Sequence, residues 1–247
     1  MEDKTKKIQS ETLKKLALIQ EVRTAIFFIK EGLVSLNRLD GENDFSHMPV
    51  LLLSNGFERL LKVIICLDYI EIHGIFPETS SFQKSIITHV LDNLLERVIC
   101  IAHKWKYSER CIAAQMDIDF LENNNDLHRV VFLLSAYGDK ARYYNMNVII
   151  GLKNLTDDPE QAFESYCTDI FTRQQNWQEK IKGENLSEKL DANIHYVNQQ
   201  ITMLLQKFAR ALCRMFTLGN LGQLASQQIG PISYFLYLKD EDLYKVK

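Results

Sequence analysis

No apolar run in this 247-residue chain approaches the ~20 residues that a membrane-crossing helix needs. The opening stretch MEDKTKKIQSETLKK is charged and has no apolar centre, so it is not expected to act as a secretory signal. The cysteines Cys66, Cys100, Cys111, Cys167 and Cys213 are odd in number, form no CxxC pair and have no histidine at metal-ligand spacing. This argues against a disulfide framework or a zinc site and predicts a reducing, cytoplasmic setting. Cys66 and Cys100 lie in apolar runs, where a free thiol is expected to pack as a small hydrophobe. A net charge of −3 supplies no global basic field for nucleic acid, so any such contact must come from a local patch. Glycine-rich phosphate loops, HExxH, nucleophile elbows, internal repeats and low-complexity segments are also missing. Nothing here calls for a metal or a cofactor.

What is present is helical periodicity, in a composition (46% apolar, 25% charged) ordinary for a globular protein. From Ser10, a plausible N-cap, apolar residues recur at Leu16, Ile19, Val22, Ile26, Ile29, Leu33 and Leu36, which predicts a helix ending near Asn37. The turn-rich RLDGENDFSHMP follows. Pro49 to Pro77 reads as a long buried helix, with Pro49 in its first turn and Gly74 and Pro77 as stop signals. A third helix is expected from Ser80-Ser81 to about Lys104, then a weaker piece over Glu109–Met116. A fourth has its core over Leu127–Ile150, capped by Asp119 or Asn125 and closed by Gly151. The fifth runs from Pro159 to about Lys182, and the sixth from about Ser187 to Leu218. The tail GPISYFLYLKDEDL alternates aromatic and β-branched residues and is expected to be a short strand or an extended segment. The prediction is an all-α, antiparallel multi-helix bundle forming one domain over 1–247.

Two polar clusters interrupt this pattern. Glu58 and Lys62, four apart on the second helix, share a face in the favourable order for an ion pair. Their neighbours are apolar, so the pair is expected to be half-buried and to need further partners; it is either a register-fixing structural pair or part of a site. The second cluster is Ala141-Arg142-Tyr143-Tyr144-Asn145-Met146-Asn147. Arg142 offers a planar fork for phosphate, and Tyr143 and Asn145 can orient or stack with a nucleotide. The alternative is a buried hydrogen-bond network joining helices.

The segments GFERLLKVIICLDYIEIHGIFP, THVLDNLLERV and DFLENNNDLHRVVFLLSAYGDKARYYNMNVI resemble HEPN-like proteins (higher eukaryote and prokaryote nucleotide-binding domains) across about residues 49–152. The resemblance implies a HEPN-like core over about 10–152, with a C-terminal helical extension over about 153–247. It implies a dimerising bundle that binds RNA or a nucleotide, in many members a metal-independent ribonuclease of toxin–antitoxin or antiviral defence systems. RNA, a second copy of the chain and an antitoxin-type protein are the partners it suggests.

In that family an Arg steadies phosphate while a His, four to six residues later, moves the proton. The catalytic set it points to here is Arg142, Asn147, Glu58 and Lys62, with Asn147 standing where the His is expected. An amide cannot act as a general base near neutral pH, so either another His serves or the site binds without cutting. Arg97 and His103, in RVICIAH, match the Arg-to-His spacing literally and form the alternative pair. His89 matches a recurrent position of the family, expected to close a helix–helix contact. His128 lies fourteen residues before Arg142, about 20 Å along one helix. The two readings are therefore a HEPN-like ribonuclease and a non-catalytic binding or dimerisation module with a degenerate HEPN site.

Overall fold

The computed structural model describes residues 10–78, 80–139, 143–152, 158–182 and 185–245, and among these it contains helices and no strands. α1 (Glu11–Asn37) starts where Ser10 Oγ accepts the Leu13 amide at 3.2 Å, the side-chain N-cap that satisfies one orphan donor of the first turn. α2 (His47–His73) ends at Gly74, whose φ of 69° places it in the left-handed region that closes helices. The two form an antiparallel hairpin held unusually close. A Cβ on Gly56 would stand 2.9 Å from the Ile29 nitrogen, and one on Gly32 would meet Leu53 Cγ at 2.7 Å. Only glycine permits backbones this near.

The expected third helix is two helices. α3 (Ser80–Ile86) and α4 (Leu91–Lys104) are separated by Ile87–Val90. At the break the Val90 amide binds Thr88 Oγ1 at 3.1 Å and the Leu91 amide donates to Ser135 Oγ at 2.7 Å. Side-chain hydroxyls have replaced helical carbonyls as acceptors, which is how Ser and Thr compete with a helix. The piece expected over Glu109–Met116 is a 3₁₀ turn, Tyr107–Glu109, followed by α5 (Ile112–Asn123). The fourth helix is α6 (Asn125–Asp139), capped by Asn124 Oδ1 on the Leu127 amide rather than by Asp119 or Asn125; α7 (Tyr144–Ile149) is a separate short helix. Residues 140–142, and with them Arg142, lie outside the described residues.

α8 (Pro159–Thr172) stops ten residues before the predicted end of the fifth helix, and α9 (Trp177–Lys180) is a single turn. α10 (Leu186–Leu218) has the predicted span. The tail is helical, with α11 (Gly222–Ser226), α12 (Ile229–Leu236) and a 3₁₀ turn at Asp240–Asp242. Its apolar residues also satisfy a helical spacing, since Ile232 and Phe235, three apart, are both fully buried.

α10 packs on α1, α2, α5, α6, α8 and α12, so the buried apolar side chains form one cluster from Leu18 to Phe235. Phe208 of α10 stacks on Phe57 of α2 with centroids 4.6 Å apart. Among the described residues no helix is long and apolar enough to cross a membrane. All five cysteines are free; Cys213 is buried as a small hydrophobe, but Cys100 is exposed on the outer side of α4, contrary to expectation.

Candidate functional site

Ser54, Glu58 and Lys62 follow one another at four-residue steps on α2 and therefore share a face. Lys62 Nζ donates to Glu58 Oε1 at 2.7 Å, the ion pair expected from their spacing. The pair is more buried than expected, with the Glu58 side chain only 12% exposed. Its further partner comes from the α3–α4 break. His89 Nδ1 stands 3.1 Å from both Glu58 oxygens. Facing a carboxylate, which only accepts, Nδ1 is the donor of this contact, and Nε2 is the ring nitrogen turned away from Glu58. Nε2 has no hydrogen bond among the described residues, and the His89 side chain is 48% exposed. The arrangement is a half-exposed imidazole oriented through Nδ1 by a buried carboxylate.

Gly138, near the end of α6, closes the centre from the other side. A Cβ there would lie 2.8 Å from Ser54 Oγ, 3.6 Å from the His89 carbonyl and 3.8 Å from Glu58 Oε2. Ser54 Oγ is buried and has no hydrogen-bond partner among the described residues. Thus α2, the α3–α4 break and α6 converge on one polar point, and Gly138 precedes Arg142 by four residues in the sequence. Arg59, the residue after Glu58, turns away to α1, where it pairs with Glu21 at 2.6 Å beneath the Phe28 ring.

Of the second cluster, Tyr143 is 60% exposed, Asn145 is exposed and Asn147 is half-buried, so these residues are not a buried network between helices. Arg97 and His103 occupy different sides of α4. Arg97 acts on the Cys66 thiol of α2, where burial raises the thiol to about 11 against the pull of Arg97 and Lys62. His103 Nε2 instead meets Glu122 of α5 at 2.5 Å. The literal RVICIAH spacing therefore does not bring its ends together. His128 Nε2 is spent on the Glu122 carbonyl at 2.9 Å.

Two features were not legible as sites. The first is the pairing of His89 with Glu58, since the contact spans 31 residues and depends on a helix break. The second is a row of cations on α10, Lys207, Arg210 and Arg214, with spacing that puts them on one face. Arg214 Nη1 donates to Asp117 Oδ1 at 2.8 Å, and Tyr107 OH donates to Asp117 Oδ2 at 2.9 Å. Burial holds the Asp117 carboxyl above its ordinary range, opposed mainly by Arg214. Burial, reinforced by the Asp117 charge, pushes the Tyr107 hydroxyl far above its own.

The described residues hold no cluster of three or more His, Cys, Asp or Glu side chains placed to bind a metal ion. Fold and centre together define an all-α bundle with a carboxylate–imidazole–ammonium triad at a junction of three elements. Comparison of the chain with protein-family models, with curated proteins and with solved structures finds no match.

Proposed function

We propose that this chain is a HEPN-like protein acting on RNA in a defence or toxin setting, and that Glu58, His89 and Lys62 form its proton-moving centre. The observation that carries the reading is the Glu58–His89 contact, 3.1 Å to each carboxylate oxygen, with Nε2 making no hydrogen bond among the described residues. It supplies the proton carrier that Asn147 does not. In the proposed step the RNA 2′-oxygen attacks the adjacent phosphorus, forming a P–O2′ bond and breaking the P–O5′ bond. His89 Nε2 takes the 2′-hydroxyl proton, Glu58 stabilises the imidazolium, and that proton passes to the departing 5′-oxygen. The products are a 2′,3′-cyclic phosphate and a 5′-hydroxyl. Lys62 orients Glu58 through their ion pair, while Arg142 holds the phosphate, the role the HEPN resemblance gives it.

A second reading has its own observation. Met146, Ile149, Ile150 and Leu152, on and just after α7, are each more than half exposed, as suits a docking face. On this reading the chain is a non-catalytic binding or dimerisation module with a degenerate HEPN site.

Purified protein incubated with single-stranded RNA in EDTA separates the two. Cleavage should fall by roughly 10²–10⁴-fold in His89→Ala, the range for losing a general base, and also in Glu58→Gln and Arg142→Ala. Cleavage by His89→Ala at the wild-type rate would sink the proton-moving role. RNA retained without cleavage, and released by Arg142→Ala, would establish the second reading.

A further inference from the structure

A second centre lies apart from Glu58 and shares no residue with it. A cleft of about 670 Å³ opens between α5, α10 and the C-terminal segment after α12. Lys207, Arg210 and Arg214 line it from α10, and Lys239 from the C-terminal segment; the acids in its wall are Asp117, Asp119 and Asp240. Asp117 is fully engaged by Arg214 and Tyr107, and Asp119 accepts from Asn123 at 2.9 Å. Lys207 makes no hydrogen bond or ion pair among the described residues.

Arg210 is the informative group. It is only 9% exposed. Its Nη1 donates to the Leu238 carbonyl at 2.9 Å, and its Nη2 pairs with one oxygen of Asp240 at 2.7 Å. Its Nε, on the same edge of the guanidinium as Nη2, is buried and has no hydrogen-bond partner among the described residues. That edge offers two parallel donors, the fork that takes oxyanions in bidentate fashion, and Asp240 fills only half of it. The Asp240 side chain is itself 74% exposed, so rotating it into water needs no movement of the backbone. With Asp240 turned out, the lining carries four cations (Lys207, Arg210, Arg214, Lys239) against two carboxylates (Asp117, Asp119).

We propose that this cleft binds a phosphomonoester, whose phosphate replaces the Asp240 carboxylate on the Nε/Nη2 edge of Arg210 and draws in Lys207. Asp240 is then an internal placeholder for the ligand's charge. The cleft is within the 300–1,000 Å³ range of small-molecule sites, far more than a bare phosphate needs. Phe120 and Tyr237 in its wall offer faces for a planar body such as a nucleobase. A free phosphate can take both donors of the edge at once, whereas Asp240, tethered to its own backbone, pairs with Nη2 and leaves Nε without a partner among the described residues. The proposal stands independently of the reading of Glu58 and His89.

Titration calorimetry of the full chain at constant ionic strength, with inorganic phosphate, adenosine 5′-monophosphate and adenosine as probes, tests it. The monophosphate should bind, and adenosine should bind at least about tenfold more weakly, the cost of one charge-assisted contact. Asp240→Asn, which weakens the internal competitor, should tighten phosphate-containing ligands several-fold. Lys207→Ala, which removes no hydrogen bond or ion pair among the described residues, should weaken them by about tenfold. Equal affinity for phosphate and monophosphate would identify free phosphate as the source of the anion. Absence of binding by both, or binding unchanged in both variants, would overturn the site. His89→Ala should bind these probes as the wild type does, so loss of RNA cleavage and loss of this site are separable.

Discussion

At the scale of single residues, Ser54 carries the least satisfied position in the candidate site. Its hydroxyl is buried with no hydrogen-bond partner among the described residues and faces the Cα of Gly138, where a Cβ would come to 2.8 Å. A buried hydroxyl that makes no hydrogen bond costs its desolvation, so Ser54→Ala should leave stability unchanged or raise it by up to about 1 kcal/mol. Gly138→Ala alone should destabilise by about 1–3 kcal/mol through overpacking. The same substitution in a Ser54→Ala background should cost less, because the atom it meets has gone. Urea midpoints of the four proteins give the coupling, and strict additivity would show that the two positions do not meet.

Legibility differed sharply among neighbouring residues. The Glu58–Lys62 pair followed from a four-residue spacing on one helix. His89 did not, because its partner lies 31 residues away and the chain must leave the helical path to reach it. Lys207, Arg210 and Arg214 recur at three- and four-residue steps, a spacing that by itself does not separate a solvated helix face from a covered one. Only the fold shows that α5 and the C-terminal segment cover that face.

At the scale of elements, the α1–α2 hairpin depends on glycine at the crossing. In Gly56→Ala the new methyl would meet the Ile29 nitrogen at 2.9 Å and the Ala25 carbonyl oxygen at 3.1 Å. These are backbone atoms and cannot rotate aside. The substitution should cost about 1–3 kcal/mol despite the better helix propensity of alanine, read as a lowered urea midpoint. Helices whose ends carry their own chemistry were readable in sequence: Ser10 caps α1, Gly74 closes α2, and Pro159 opens α8. Elements ended by contacts from elsewhere were not. Ser135 Oγ takes the first amide of α4, so periodicity alone ran α3 and α4 together. The tail failed for a different reason, since alternating aromatics also place Ile232 and Phe235 on one helical face.

At the scale of the whole molecule, α10 belongs to the core and is not an appendage to an N-terminal one. Leu205, Phe208, Ala209 and Leu212 are fully buried, and Phe208 lies flat on Phe57. Burying an aromatic of this size is worth several kcal/mol, comparable to a large share of a domain's net stability. A chain ending at residue 152 should therefore lack a cooperative thermal transition by circular dichroism, although it contains the whole segment that resembles HEPN-like proteins. A sharp transition in that fragment would show that α10 is dispensable.

The Ile87–Val90 break has a further consequence. His89 hangs between two helices, and the first amide of α4 is tied to α6 through Ser135. Its imidazole therefore reaches Glu58 only while α2, α4 and α6 are docked together. The Glu58–His89 contact is thus conditional on tertiary assembly, and a newly made or partly unfolded chain carries all of its residues without yet carrying the site.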